Sequence, residues 1–386
     1  MKRLLTFFLI CFSFVEYTRA EDIIDYKYWD EGKLTWVDFQ DTLSLKGVPS
    51  AFNAFLRIEK TEKRDGNTRT IRPEAQACFD KRHSFADRQI QNENLLRLFQ
   101  LKYDLLEMYR RRLQTELNLG VVGIAADNRT RQYMDLYTEK SKKAEQETEN
   151  GQNEIKLQEW EFYVTKELIE NPAPSIPRIS PRRFGYGFYL GTGASFPVGS
   201  IADYWDPAWQ INVGFDLAYA NTHLLCDFSA GTARTRQEII VSNGQITDKW
   251  LRNGHNTYTS ISLGIGQQLI STKYFALMPY VGCIWSGYSD QAKIQEGRNE
   301  RTTLSYTNFN WTAGICFDYR FSTTISLVPS FWRGHREIFT ASIRTKLFIN
   351  REQYKNFNAI EGNMIRGCKL GFSVACLGFS RLLQIK

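Results

Sequence analysis

The sequence predicts an α+β, helix-rich first domain followed by an all-β, eight-stranded up-and-down transmembrane β-barrel. Three observations carry that expectation. The hydrophobic period changes from helical to two across a proline-rich stretch, eight later segments alternate apolar with polar residues, and most connections between them run alternately long and short. The 386 residues are 42 % apolar and 24 % charged, with 9 Trp, 19 Tyr and 26 Phe, which excludes a disordered or low-complexity chain.

Taken in order, Met1 to Arg3 give a basic start, Leu4 to Phe14 an apolar run, and Thr18-Arg19-Ala20 a small-x-small ending before Glu21. That is the pattern of a cleavable secretory signal over residues 1–20. The formal charge is +7, and Lys2, Arg3 and Arg19 against Glu16 account for two of those charges, so no nucleic-acid-binding surface is implied. No later window approaches eighteen uninterrupted apolar residues, which excludes a membrane-crossing helix. The remaining cysteines, from Cys78 to Cys376, lack paired spacing and read as small apolar fillers.

The first domain covers residues 21–170. Leu95, Leu98, Phe99, Leu106, Tyr109 and Leu113 recur at steps that place them on one face of a helix from Asn92 to Asn118. A second helical stretch runs from Arg131 to Glu170. Arg110, Arg111 and Arg112 are expected mostly in water. Residues 171–183 hold Pro172, Pro174, Pro177 and Pro181 and form an extended linker.

From 184 to 386 the period is two. Ile211, Val213, Phe215, Leu217 and Tyr219 interleave with Gln210, Asn212, Gly214, Asp216 and Ala218; similar alternation runs from Asn308 to Phe321 and from Phe339 to Ile349. Weaker versions over Phe184–Ala194, His223–Val241, Asn256–Ile270, Tyr274–Gly287 and Ile365–Phe379 complete the eight. Each reaches or exceeds the roughly 9 to 11 residues that a tilted strand needs to cross a bilayer. Long polar connections alternate with tight turns at Ala220–Thr222 and Ser271–Lys273; Ser322–Arg336 breaks that pattern, being long and holding the apolar Ile325-Ser326-Leu327-Val328-Pro329, and the sequence leaves open whether it extends its neighbours.

A soluble, lipocalin-like barrel would also alternate, with its apolar face inside. The aromatic density of the apolar face, the loop pattern and the export signal favour a membrane wall, with polar residues turned inward. The lumen candidates are then Asn212, Asp216, Asn310, Asp318, Arg320, Arg344 and Lys346, forming a charge network in an interior too narrow for a pore.

Several stretches of the first domain resemble an exported bacterial family that carries a zinc-protease signature of the HExxH type. Leu34-Thr35-Trp36-Val37-Asp38-Phe39-Gln40 resembles its LTWxDF opening, Arg82-His83-Ser84-Phe85 its Ser-aromatic pair, and Leu95 to Asp104 its LLNHEQxHFD helix. Glu147-Thr148-Glu149-Asn150-Gly151 resembles its ETxHG, and Gln158-Glu159-Trp160 its Trp helix. The resemblance implies metal ligands at Leu98, Lys102 and Asn150 and a general base at Phe99, none of which can serve. It therefore implies an inactive relative without metal or other cofactor. The second half is similar to small Bacteroidetes-type outer-membrane barrel proteins, through Gly191 to Ser200 with its Phe-Pro-Val-Gly and through Val281 to Ser286.

Together these readings give a non-enzymatic outer-membrane protein of a Gram-negative bacterium. Its barrel contacts outer-membrane lipid, its first domain lies in the periplasm and binds a protein or peptide there, and no nucleic acid is involved. A divergent hydrolase in the first domain is the alternative from another class; replacing Glu107, Glu147 or Asn150 would test it.

Overall fold

The computed structural model describes residues 25–41, 49–242, 247–290, 304–306, 309–328, 336–358 and 364–385. The expected signal segment, residues 1–20, lies outside them, as do Asn308 and His335. Among the described residues the chain divides into two compact units, one of residues up to Glu59 and Glu74–Ser175, the other of Lys60–Pro73 and Ile176–Lys386.

The first unit contains short strands β1 (Tyr26–Tyr28), β2 (Ser50–Ala51) and β5 (Phe85–Ala86), and the base of a hairpin of β3 (Ala54–Asp65) and β4 (Thr68–Asp80), whose tip, Lys60–Pro73, belongs to the second unit. Three helices follow: α1 (Glu93–Leu119), α2 (Ile124–Glu147) and α3 (Glu154–Glu170). Helix α1 starts where Asn92 Oδ1 accepts from Leu95 N at 2.8 Å, and it stops at Gly120, whose φ of 125° favours glycine. All six residues of its expected apolar face are buried, against β4 residues Ala75, Ala77 and Phe79 and the facing sides of α2 and α3. The three arginines correct the expectation. Arg110 and Arg111 are not in water: both donate to Glu107, which is 2 % exposed, and Arg111 also donates Nη1 to Leu168 O at 2.7 Å. The cause is Glu107 itself, a carboxylate on the buried side of α1 that folding must neutralise. Only Arg112 keeps substantial exposure.

Leu34–Gln40 is a clasp on α1. Leu34 N donates to Gln100 Oε1 at 2.8 Å, while Trp36 and Phe39 pack on Phe99 at ring-centroid distances of 6.3 and 5.2 Å. Asp38 closes it by accepting from Thr35 N (2.8 Å), Thr35 Oγ1 (2.9 Å) and Lys27 Nζ (2.7 Å). Burial pushes the Asp38 carboxyl up, but Lys27 and Thr35 outweigh it and hold the group below its ordinary 3.8. A carboxylate held low in the fold stabilises above its unfolded pKa and loses that contribution as pH falls through the folded value. Asp38→Ala is expected to cost about 2 to 3 kcal/mol at neutral pH, the loss of charge-assisted bonds in a half-dry site. Hydrogen exchange of α1 amides in the full chain checks it, with wild type and variant converging as pH falls below 3.8; an unchanged exchange rate at pH 7 would refute it.

The second unit is a closed ring. Its walls are β6 (Ile179–Val198), β7 (Ala208–Tyr219), β8 (Thr222–Arg234), β11 (His255–Gln267), β13 (Phe275–Asp290), β15 (Asn310–Ser326), β16 (Glu337–Asn358) and β17 (Met364–Ile385). Each pairs antiparallel with the next, and β17 returns to β6 with Ile385 opposite Ile179, which leaves no free edge. A hairpin of β9 (Ile239–Ser242) and β10 (Thr247–Trp250) joins the end of β16 at Val241, while the two-residue strand β12 (Ile270–Ser271) and β14 (Leu304–Tyr306) pair with β13. The eight expected strands are all present and mostly longer than their alternating cores. The Ser322–Arg336 connection extends one neighbour: β15 continues through Ser326, while β16 begins at Glu337, after the connection.

Candidate functional site

The period of two decides which side of the wall meets what. Along β7, Gln210, Asn212 and Asp216 are buried while Trp209, Ile211, Phe215 and Leu217 are exposed, and β8, β11, β13, β15, β16 and β17 repeat the pattern. The apolar face is therefore outside and the charged face inside, the reverse of a soluble barrel. Trp209, Trp285, Phe309 and Trp311 ring the long-loop end; Tyr219, Tyr274, Phe275, Tyr319 and Phe321 ring the other. Ten residues of tilted strand between Trp209 and Tyr219 correspond to about 25 Å of height, the thickness of the apolar band in such barrels.

Inside, the side chains form layers. Nearest the turn-bearing end, Arg344 donates Nε and Nη2 to the two oxygens of Asp318 at 2.7 and 2.9 Å, and Nη2 to Asp216 Oδ2 at 2.8 Å. His223 Nδ1 lies 2.6 Å from Asp216 Oδ1. One step along β16, Lys346 donates to Asp227, which also accepts from Tyr189 and from Ser262 Oγ. The next layer is neutral: Thr312 Oγ1 donates to Asn350 Oδ1 at 2.6 Å and Ser229 Oγ to Asn212 Oδ1 at 2.7 Å. The space beside Asn212 and Lys346 is about 30 Å³, water-sized, so the middle of the lumen is a packed polar core.

Six of the seven lumen candidates, Asn212, Asp216, Asn310, Asp318, Arg344 and Lys346, are buried in this interior. Arg320 is the exception in position. It lies beyond the Arg344 layer and donates Nη1 to Thr272 O at 2.7 Å. The sequence reading missed Glu352 and Lys369, both wholly buried and paired at 2.6 Å under the long-loop end. Glu352 also accepts from Tyr258, Ser286 and Tyr354, while Lys369 Nζ sits 3.9 and 4.4 Å from the ring centroids of Tyr258 and Tyr288. Above them Trp205 stacks on Tyr288 at 4.5 Å, and Ile201, Ile239, Val241 and Trp250 close that end. The signal was available in the strand parity. Glu352 shares the inward phase of Arg344 and Lys346 on β16, but expecting that strand to stop at Ile349 hid it.

In the first unit, the positions matching the protease signature hold structural groups. Leu98 and Phe99 are core residues of α1. Lys102, on the same face as Leu98, donates to Glu145 Oε1 of α2 at 2.5 Å and lies 4.7 Å from the Phe52 ring centroid. Asn150 occupies a left-handed turn conformation, φ 56°, between α2 and α3. Asp104 is raised by burial, though it accepts from Trp29 Nε1 and Gln100 Nε2. Among the described residues no group of three or more His, Cys, Asp and Glu could hold a metal ion.

No protein-family model matches the chain, and no curated protein matches it. Solved structures similar to it include the attachment invasion locus protein Ail of Yersinia pestis in complex with a heparin analogue (8 % identity, 51 % of this chain, 99 % of that one, TM-score 0.27). Neisserial surface protein A (5 %, 53 % and 99 %, TM-score 0.30) and the outer membrane protein OprG of Pseudomonas aeruginosa (11 %, 52 % and 97 %, TM-score 0.28) are others. Each spans about half of this chain.

Proposed function

We propose that the chain is a non-enzymatic outer-membrane protein whose barrel anchors the first domain in the periplasm and presents the long loops outside the cell. The observation that carries this is the inverted wall, apolar and aromatic outside and polar and charged inside, on a ring with no edge. Such a wall is stable only where hydrocarbon covers it. The first domain is read as an inactive relative of the zinc-protease-like family, with its former metal and base positions refilled by Leu98, Phe99 and Lys102. The Glu107 carboxylate, held by Arg110 and Arg111, supports the same reading, because an acid neutralised by two guanidinium groups is a poor general base. A periplasmic protein or peptide is the partner class this arrangement suits.

The test is direct. Detergent-extracted protein is expected to migrate faster unheated than heated, and to stay in the membrane pellet after high-salt washing. Phe215→Arg, which puts a charge on the exposed belt, is expected to cost the barrel about 2 to 4 kcal/mol in lipid-based urea unfolding. Release of the wild type by osmotic shock, or a harmless Phe215→Arg, would end the membrane assignment. Stoichiometric zinc in the purified full chain would end the pseudo-protease one.

A further inference from the structure

We propose that the turn-bearing end of the barrel lumen is a binding site for a phosphate-class anion. A cavity of about 390 Å³ opens there within the barrel unit, lined by Arg320, Arg344, Arg381, Lys273 and His223 with Asp318; Lys273 pairs with Asp65 at 3.3 Å, and Arg344 and His223 both pair with Asp216 behind the lining. Asp318 is already spent, because both of its oxygens accept from Arg344. Arg320 donates only to Ser271 Oγ (3.2 Å) and Thr272 O (2.7 Å), and Arg381 only to Arg183 O (3.3 Å) and Ala220 O (2.5 Å), so neither guanidinium has a carboxylate partner among the described residues. Deeper in the wall, Arg344 Nη1 and His223 Nε2, on side chains 2 % and 5 % exposed, have no hydrogen-bond partner there either.

The two guanidinium groups without a carboxylate, Arg320 and Arg381, repel one another in this half-enclosed space until an anion enters. Guanidinium forks match the paired oxygens of a phosphate, and the volume lies in the range of small-molecule sites. Two sources carry that chemistry, a free phosphate compound and a lipid headgroup. The site belongs to the barrel and does not depend on what the first domain does.

The experiment uses the full chain in phosphate-free, non-ionic detergent, titrated calorimetrically with inorganic phosphate and separately with dihexanoyl phosphatidylglycerol. Saturable one-site binding is expected for at least one probe, with a Kd at or below about 1 mM, near −4 kcal/mol. Saturation by inorganic phosphate identifies a soluble ligand; saturation by the lipid alone identifies a headgroup. Arg320→Gln with Arg381→Gln should weaken binding at least about tenfold, some 1.4 kcal/mol, while Arg236→Gln, a loop residue paired with Asp206, should leave it unchanged. Phenylglyoxal labelling of the wild type gives a readout that needs no variant: the bound probe should protect Arg320 and Arg381 and not Arg236. No saturation by either probe, wild-type affinity in the double variant, or equal labelling with and without probe overturns the proposal.

Discussion

Arg344→Met is expected to lower barrel stability by about 3 to 5 kcal/mol, because it takes the guanidinium from two buried carboxylates. Asp216 is wholly buried and Asp318 nearly so, and Arg344 supplies three of their hydrogen bonds from a single guanidinium. Asp216 then keeps only His223, and Asp318 keeps only such water as the end cavity admits, so the carboxylates must protonate or the strands must part. The measurement is the urea midpoint of the unheated, fast-migrating form in lipid vesicles. Arg344→Lys should fall between wild type and Met, since it keeps the charge and loses the bidentate fork on Asp318. Adding Asp216→Asn and Asp318→Asn to Arg344→Met should restore most of the loss, because the charges that needed the arginine are gone. A midpoint unmoved by Arg344→Met would mean that the network is not continuous as drawn.

The same residues show what a sequence can reveal. Arg344 and Lys346 alternate with Ile343 and Leu347, so strand period and inward phase were both legible without a partner in sight. Their partners were legible only as candidates. Which acid meets which base depends on register across strands, and Asp318 opposite Arg344 is a pairing that no local pattern encodes. The hairpin of β3 and β4 was missed for a related reason. Its inward residues Pro73, Ala75, Ala77 and Phe79 do alternate, but the small alanines carry little hydrophobic contrast beside Arg72, Glu74 and Gln76. In the first unit the α1 face was read correctly from spacing, whereas Arg110 and Arg111 were not, because Glu107 one turn earlier decides their burial. A charge run is a solvated face only when no buried opposite charge lies within that turn.

The Glu352 and Lys369 pair is expected to fail asymmetrically. Lys369→Met leaves the Glu352 carboxylate with hydroxyl donors from Tyr258, Ser286 and Tyr354, so the loss should be about 2 to 3 kcal/mol. Glu352→Leu leaves an ammonium with aromatic faces and a single tyrosine hydroxyl, and should cost about 3 to 5 kcal/mol, because ring quadrupoles replace only part of a carboxylate. The double replacement should recover much of the larger loss and give a coupling energy of about 1 to 3 kcal/mol in a double-mutant cycle. Local closure supplies a second readout. Tyr288 walls Lys369 on one side and stacks on Trp205 on the other, so loosening the pair should loosen the aromatic cap. Trypsin cleavage after Lys249 and Arg252, in the connection that Trp250 pins into that cap, should accelerate in Glu352→Leu before the barrel itself unfolds. Equal cleavage rates in all variants would separate the buried pair from the cap. Acceleration in Glu352→Leu alone, abolished in the double variant, would show that the stranded ammonium, and not the loss of the pair itself, loosens the long-loop end.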